Sequence, residues 1–105
     1  MSIAGLELKQ SSGTLRLAGQ LDFRNAAVAY ALVQRELQSG IDELDLGGLV
    51  NADSAALACL LAWRAGSNAA GRTLNLVAVP ENLRALAQVS DVLQLLDSRQ
   101  RVGGS

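Results

Sequence analysis

Histidine is absent from the 105-residue chain, and cysteine, proline, methionine, tryptophan, tyrosine and phenylalanine occur once each. The missing imidazole removes the commonest general acid–base, the commonest zinc ligand and every Ser–His or Cys–His nucleophile pair. A lone Cys59 makes no internal disulfide, and Met1-Ser2-Ile3-Ala4-Gly5 carries neither a basic leader nor a long apolar run, so a cytosolic protein is expected. Three single aromatics, Phe23, Tyr30 and Trp63, offer no base-stacking platform. Nine Lys/Arg against ten Asp/Glu leave a formal charge of -1, without the basic surface that phosphate neutralisation needs. No G-x-G-x-x-G and no G-x-x-x-x-G-K-[ST] occurs, so no phosphate cradle and no cofactor are expected. With 50% of residues apolar and 18% charged, the chain is too hydrophobic for disorder, and its length suits one domain of about 100–150 residues.

Two periodicities organise what is present. Leu6 and Leu8, then Leu15 and Leu17, alternate with Glu7, Lys9, Thr14 and Arg16 around Ser11-Ser12-Gly13, which predicts a β-hairpin at the edge of a sheet. Beyond Asp22 the spacing becomes helical, with Ala26, Tyr30, Val33 and Leu37 on one face, Asp22 or Asn25 placed to cap the start and Gly40 to end it. Ile41–Leu46 reads as a strand bounded by Gly47-Gly48, and a second helix runs from Asp53 to Ala70, closed by Gly71. Leu74–Val79 is the next strand, and Pro80 opens a third helix with Leu83, Leu86, Ala87 and Val89 as its apolar stripe. A further short piece follows from Ser90, and residues 99–105 read as a disordered tail after a single domain over 1–98. The order β-β-α-β-α-β-α demands a mixed sheet, parallel where helices cross over and antiparallel at the hairpin, with helices mainly on one face.

From Ala55 to Trp63 every residue is apolar. Leu57, Leu60, Leu61 and Ala65, with Ala56 beside them, suffice to cover a sheet. The opposite stripe, Ser54, Ala55, Ala58, Cys59, Ala62 and Trp63, is small or apolar where a surface helix normally shows charge. Such a flank fits a partner, with Trp63 as its anchor. High alanine content and a Trp63 folded back on its own domain would give the same pattern without one. The run is shorter than the roughly 18–20 apolar residues a membrane span needs. Asp53 and Ser54 stand where the helix begins. A cap requires only one oxygen, which leaves Ser54 open to contact or to phosphorylation at the positive helix end.

Leu17-Ala18-Gly19-Gln20-Leu21-Asp22 resembles the G-x-L-D signature of STAS domains, the fold of anti-sigma factor antagonists. Leu44 to Ser54, with Asp45-Leu46-Gly47-Gly48-Leu49-Val50-Asn51-Ala52-Asp53 between them, is similar to that family's DLSGVxxIDSSG segment. The resemblance extends over residues 5–97. It implies a four- to five-stranded mixed sheet with helices on one side, and makes the serine matched by Ser54 the phosphorylatable or partner-contacting residue. Ala55 and Ala56 replace the family's second serine and glycine, which weakens kinase-style recognition of the loop. A degenerate serine motif on a stand-alone, alanine-rich domain is similar to the MlaB branch, the small cytoplasmic STAS subunit of the Mla phospholipid ABC transporter of Gram-negative bacteria.

What the resemblance implies is a non-enzymatic accessory subunit. It would bind and stabilise or activate the transporter's ATPase subunit at the cytoplasmic face of the inner membrane, without inserting in it. Asp53, Ser54, Ala55, Ala58, Ala62 and Trp63 would form the partner-binding set. The alternative is an anti-sigma factor antagonist that captures an anti-sigma kinase and is released by phosphorylation of Ser54. An enzyme using Cys59 or a carboxylate pair is disfavoured by the missing histidine, and the thiol, with no adjacent base or cation, belongs to packing. Asp22 reads as a cap, or in the family as a partner-loop contact. Ser54→Glu and Trp63→Arg are both expected to leave the fold intact and abolish partner binding.

Overall fold

The computed structural model describes residues 2–90, 92 and 95. Two tight hairpins open it. β1 (Ser2–Ile3) returns as β2 (Leu6–Ser11) through Ala4-Gly5, and β2 returns as β3 (Thr14–Leu21) through Ser12-Gly13. All four turn residues have positive φ (43° and 91°, then 49° and 84°), the mirror-image turn whose twist matches that of paired strands. The hairpin read from the sequence is therefore present. It does not lie at the edge, because β1 pairs outside β2 and β3 is central in the order β1-β2-β3-β4-β5.

Helix α1 (Ala26–Gln38) leads to β4 (Glu43–Ala52), α2 (Ser54–Ala69) to β5 (Asn75–Val77), and α3 (Glu81–Val89) follows. β3, β4 and β5 run parallel. Both crossovers step the same way across the sheet, so the helices share one face, with α2 touching α1 on one side and α3 on the other. The inward leucines of the strands, among them Leu6, Leu17, Leu44, Leu46 and Leu76, meet Ala29, Val33, Leu37, Leu60, Leu83 and Ala87 beneath the helices. The other sheet face shows water Glu7, Lys9 and Arg16; the guanidinium of Arg16 lies 4.0 Å from Asp45, and the Thr14 hydroxyl donates to Glu43 at 2.8 Å.

Strand β4 is longer than its sequence suggests. Gly47-Gly48 does not end it but forms a bulge: Arg16 pairs with Asp45 and Ala18 with Gly48, and a second shift at Val50 sets Gln20 opposite Asn51. The first extra residue resets the alternation, so the buried positions are Leu44, Leu46 and then Leu49. Glycine is required at position 48, where a Cβ would come within 2.7 Å of the Ala18 Cβ. The bulged strand carries the chain to Asp53 at the sheet's far end.

The helix stops fall where glycine predicts. Gly71 follows α2 at φ 78°, its amide donates to the Asn68 carbonyl at 3.0 Å and the Arg72 amide to Ser67 at 2.8 Å, which satisfies two terminal carbonyls. The Arg72 guanidinium then donates to the Leu37 and Gln38 carbonyls at the end of α1. Neither expected cap serves the start of α1. Asn25 occupies the position, but its side chain turns back, donating to the Ala4 and Gln20 carbonyls (3.2 and 2.9 Å) and accepting from the Asp22 amide (3.0 Å). The buried residues of α1 are Ala29, Val33 and Leu37, with Ala26 half-buried and Tyr30 exposed, and on α3 Val89 is 86% exposed. The expected tail at 99–105 and the boundary at 98 lie outside the described residues.

Gly66 sits inside α2, where glycine disfavours a helix, and a Cβ there would meet nothing closer than the Gln34 side chain at 3.7 Å. Gly66→Ala is expected to stabilise the fold by about 0.5–1 kcal/mol, read as a shifted urea midpoint. A lowered midpoint would show that the α1–α2 spacing at this point is tighter than described.

Candidate functional site

The burial of α2 divides its circumference. Ala56, Leu57, Cys59, Leu60 and Trp63 form the buried arc, while Ser54, Ala58, Ala62, Ala65 and Ala69 line the exposed side. Ala65, expected against the sheet, therefore faces out. Asp53 and Ala55 are half-buried at the helix start. Of the expected partner-binding set, Asp53, Ser54, Ala55, Ala58 and Ala62 lie together along one open strip. Trp63 does not.

Trp63 has none of its surface exposed. Its ring stacks on Tyr30 with centroids 6.2 Å apart and planes 4° from parallel, and its indole N–H donates to the Tyr30 carbonyl at 3.2 Å. The neighbouring Cys59 thiol faces the Ala26 carbonyl at 3.7 Å. Both residues are covered by α1, because a helix flanked on one sheet face buries the arc toward its neighbour as well as the arc toward the strands. Trp63 is thus a structural anchor between helices, and Trp63→Arg would bury a charge and break the fold. The expectation that it leaves the fold intact is corrected. Burial, with a smaller contribution from the Asp53 charge, pushes the Cys59 thiol pKa up, away from the thiolate a nucleophile needs.

Asp53 caps α2 in extended backbone geometry. Its Oδ1 accepts from the Ala55 amide at 2.9 Å and the Ala56 amide at 3.3 Å, and its Oδ2 accepts from the Phe23 amide at 3.2 Å. The cap is complete without Ser54, which stands exposed at the first helical position. The same end gathers the β3–α1 turn and, through an Asn82 side-chain donor to the Ala52 carbonyl at 2.8 Å, the start of α3.

Two exposed apolar residues at this end went unnoticed in the sequence. Phe23, 76% exposed, sits in the β3–α1 turn with the Arg24 guanidinium 5.9 Å from its ring centre. Val50, 78% exposed, is the second bulge residue of β4. The signal for Phe23 was its place between two charged residues, Asp22 and Arg24, outside both periodicities. Asp22 itself is buried and pairs with Arg24 at 2.8 Å. The Arg24 side-chain and backbone donors hold the Asp22 carboxyl below the usual carboxylate range. Among the described residues no three His, Cys, Asp or Glu side chains gather where they could hold a metal ion, and no helix is long and apolar enough to cross a membrane.

A five-stranded mixed sheet covered on one face by three helices is the class of fold seen in anti-sigma factor antagonists. A family model described as "Mlab, STAS domain" matches residues 4–97, and the chain belongs to that STAS-domain family. Among solved structures, a putative anti-sigma factor antagonist from Thermotoga maritima is 18% identical with a TM-score of 0.68, over 88% of this chain and 83% of that one. The anti-sigma factor antagonist SpoIIAA in its unphosphorylated form is 17% identical with a TM-score of 0.64, over 84% and 82%. At those identities the likeness is one of fold. No curated protein matches the sequence.

Trp63→Ala is expected to cost about 3–5 kcal/mol in chemical denaturation, since a fully buried indole is lost together with its hydrogen bond. A cost below about 1 kcal/mol would place the side chain at the surface after all. Because the folded-state pKa of Asp22 is depressed, its contribution is present above its unfolded pKa and is lost as the pH falls through the folded value. Asp22→Asn should therefore be less stable than wild type near neutrality, and the two should converge in acid. A deficit that stays constant with pH would contradict the pairing with Arg24.

Proposed function

We propose that this chain is a non-enzymatic docking module which binds and stabilises or activates the ATPase subunit of an Mla-type phospholipid ABC transporter. It would work at the cytoplasmic face of the inner membrane, held there through the transporter. The contact is the open strip of α2, formed by Asp53, Ser54, Ala55, Ala58 and Ala62, with Trp63 withdrawn into the core. One observation carries the reading: a strip of small side chains lies bare on a domain that a family model named for MlaB matches over residues 4–97. Small side chains let a partner's backbone approach closely, and apolar strips of this kind mark interaction sites. Docking would act by favouring one arrangement of the ATPase over another, shifting an equilibrium with no chemistry of the module's own.

A second reading is supported by the fold likeness to two anti-sigma factor antagonists and by the exposure of Ser54. In it the chain captures an anti-sigma kinase and is released when Ser54 is phosphorylated. The added charge of about -1.5 to -2 beside a neutral apolar strip would repel an apolar partner.

Ser54→Glu should fold normally, because a carboxylate at a helix start is tolerated, yet lose at least about tenfold in affinity for the ATPase subunit by calorimetric titration. Unchanged affinity with a normal melting curve would count against docking through this strip. Incubation with a cognate serine kinase and ATP, followed by intact mass, separates the two readings. A phosphate on Ser54 supports the second, and an unmodified chain the first.

A further inference from the structure

The α2 cap uses only one oxygen of Asp53; the other reaches thirty residues back in the chain to the Phe23 amide. Phe23 is the chain's one phenylalanine, and its side chain is among the most exposed apolar groups described. An exposed aromatic on a four-residue turn holds a fixed place only if the backbone beneath it is pinned. Here each amide from Asp22 to Arg24 donates to a side-chain oxygen: Asp22 to Asn25 at 3.0 Å, Phe23 to Asp53 at 3.2 Å, Arg24 to Asp22 at 2.9 Å. Two of those acceptors belong to the turn itself. Only Asp53 comes from outside, so it alone among the three fixes the turn's position relative to α2.

We propose that Asp53 is a positioning residue that presents Phe23 to the docking partner, locking the β3–α1 turn to the start of α2 so that Phe23, Ser54 and Ala58 meet the ATPase subunit as one surface. The inference rests on the reading of this end as the docking site. It adds to that reading a contact residue outside the serine motif and a role for the second carboxylate oxygen. A partner that meets this surface must offer a concave apolar seat for the Phe23 ring beside the flat alanine strip. Rigid presentation lowers the ordering cost of seating an aromatic side chain.

The decisive variants separate capping from positioning. In Asp53→Ser one oxygen remains to cap Ala55 and Ala56, while nothing reaches Phe23; in Asp53→Asn the cap oxygen is kept and an amide N–H faces the Phe23 N–H. Amide hydrogen exchange on the full chain should show Phe23 exchanging about tenfold faster in both variants, with α2 protection and Tm close to wild type in at least one. Affinity for the purified ATPase subunit should fall by a similar factor in that variant and in Phe23→Ala. Unchanged exchange at Phe23 would overturn the link. Wild-type affinity for Phe23→Ala, where Ser54→Glu no longer binds, would overturn the positioning role and leave the docking strip standing. If Ser54→Glu also bound as wild type, the docking reading itself would fail.

Discussion

Helix α2 is the middle of three helices laid on one face of a sheet, and that placement decides which of its side chains remain available. Leu57 and Leu60 are buried in the core, α1 covers Cys59 and Trp63 on one side of the helix, and α3 packs on the other. The two helices run parallel and meet residue by residue: Ala26 faces Cys59, Tyr30 faces Trp63, and Gln34 faces Gly66. The exposed residues that remain are Ser54, Ala58, Ala62, Ala65 and Ala69, with Asn68 beside them. Their bareness follows from how little a helix in the middle place can leave uncovered.

The strip begins where the parallel strands end. β4 reaches that end because its bulges insert extra residues without losing the partner strand, and Asp53 then turns the chain into α2. Three connections converge there: the β3–α1 turn, the β4–α2 junction and the first turn of α3. Asp53 bonds to the first two and the Asn82 side chain to the strand preceding α2. In open sheets with parallel strands the carboxyl ends are where connecting segments are freest to carry function, since the far ends of the strands hold them in place. Close to this end burial pushes the Cys59 thiol toward its neutral form, and Asp22 is engaged with Arg24.

Much of the fold was legible because it depends on local chemistry. Alternating leucines gave β2 and β3, Ser12-Gly13 gave their turn, and Gly40 and Gly71 marked helix ends that positive φ requires. β1 was missed because two residues cannot display an alternation. β4 was cut short because Gly47-Gly48 looks the same as a strand boundary and as a bulge; only the partner strand distinguishes them. The site was half legible. Ser54, Ala58 and Ala62 were placed on the open side of α2 by their small size, but Trp63 and Cys59 share that apolar pattern and lie beneath α1. A helical wheel shows where apolar residues fall, not how many neighbours the helix has. Phe23 escaped for a related reason: its position is fixed by Asp53, far away in the sequence, and no local pattern signals such a bond.

Docking through the start of α2 is tested most directly by mapping amide exchange across the whole chain, free and saturated with the purified ATPase subunit. Protection should rise at the start of α2 and in the β3–α1 turn, around Ser54, Ala58 and Phe23, while the charged sheet face around Lys9 and Arg16 stays as exchangeable as before. Protection confined to that sheet face, with α2 unchanged, would contradict the proposed mode of binding.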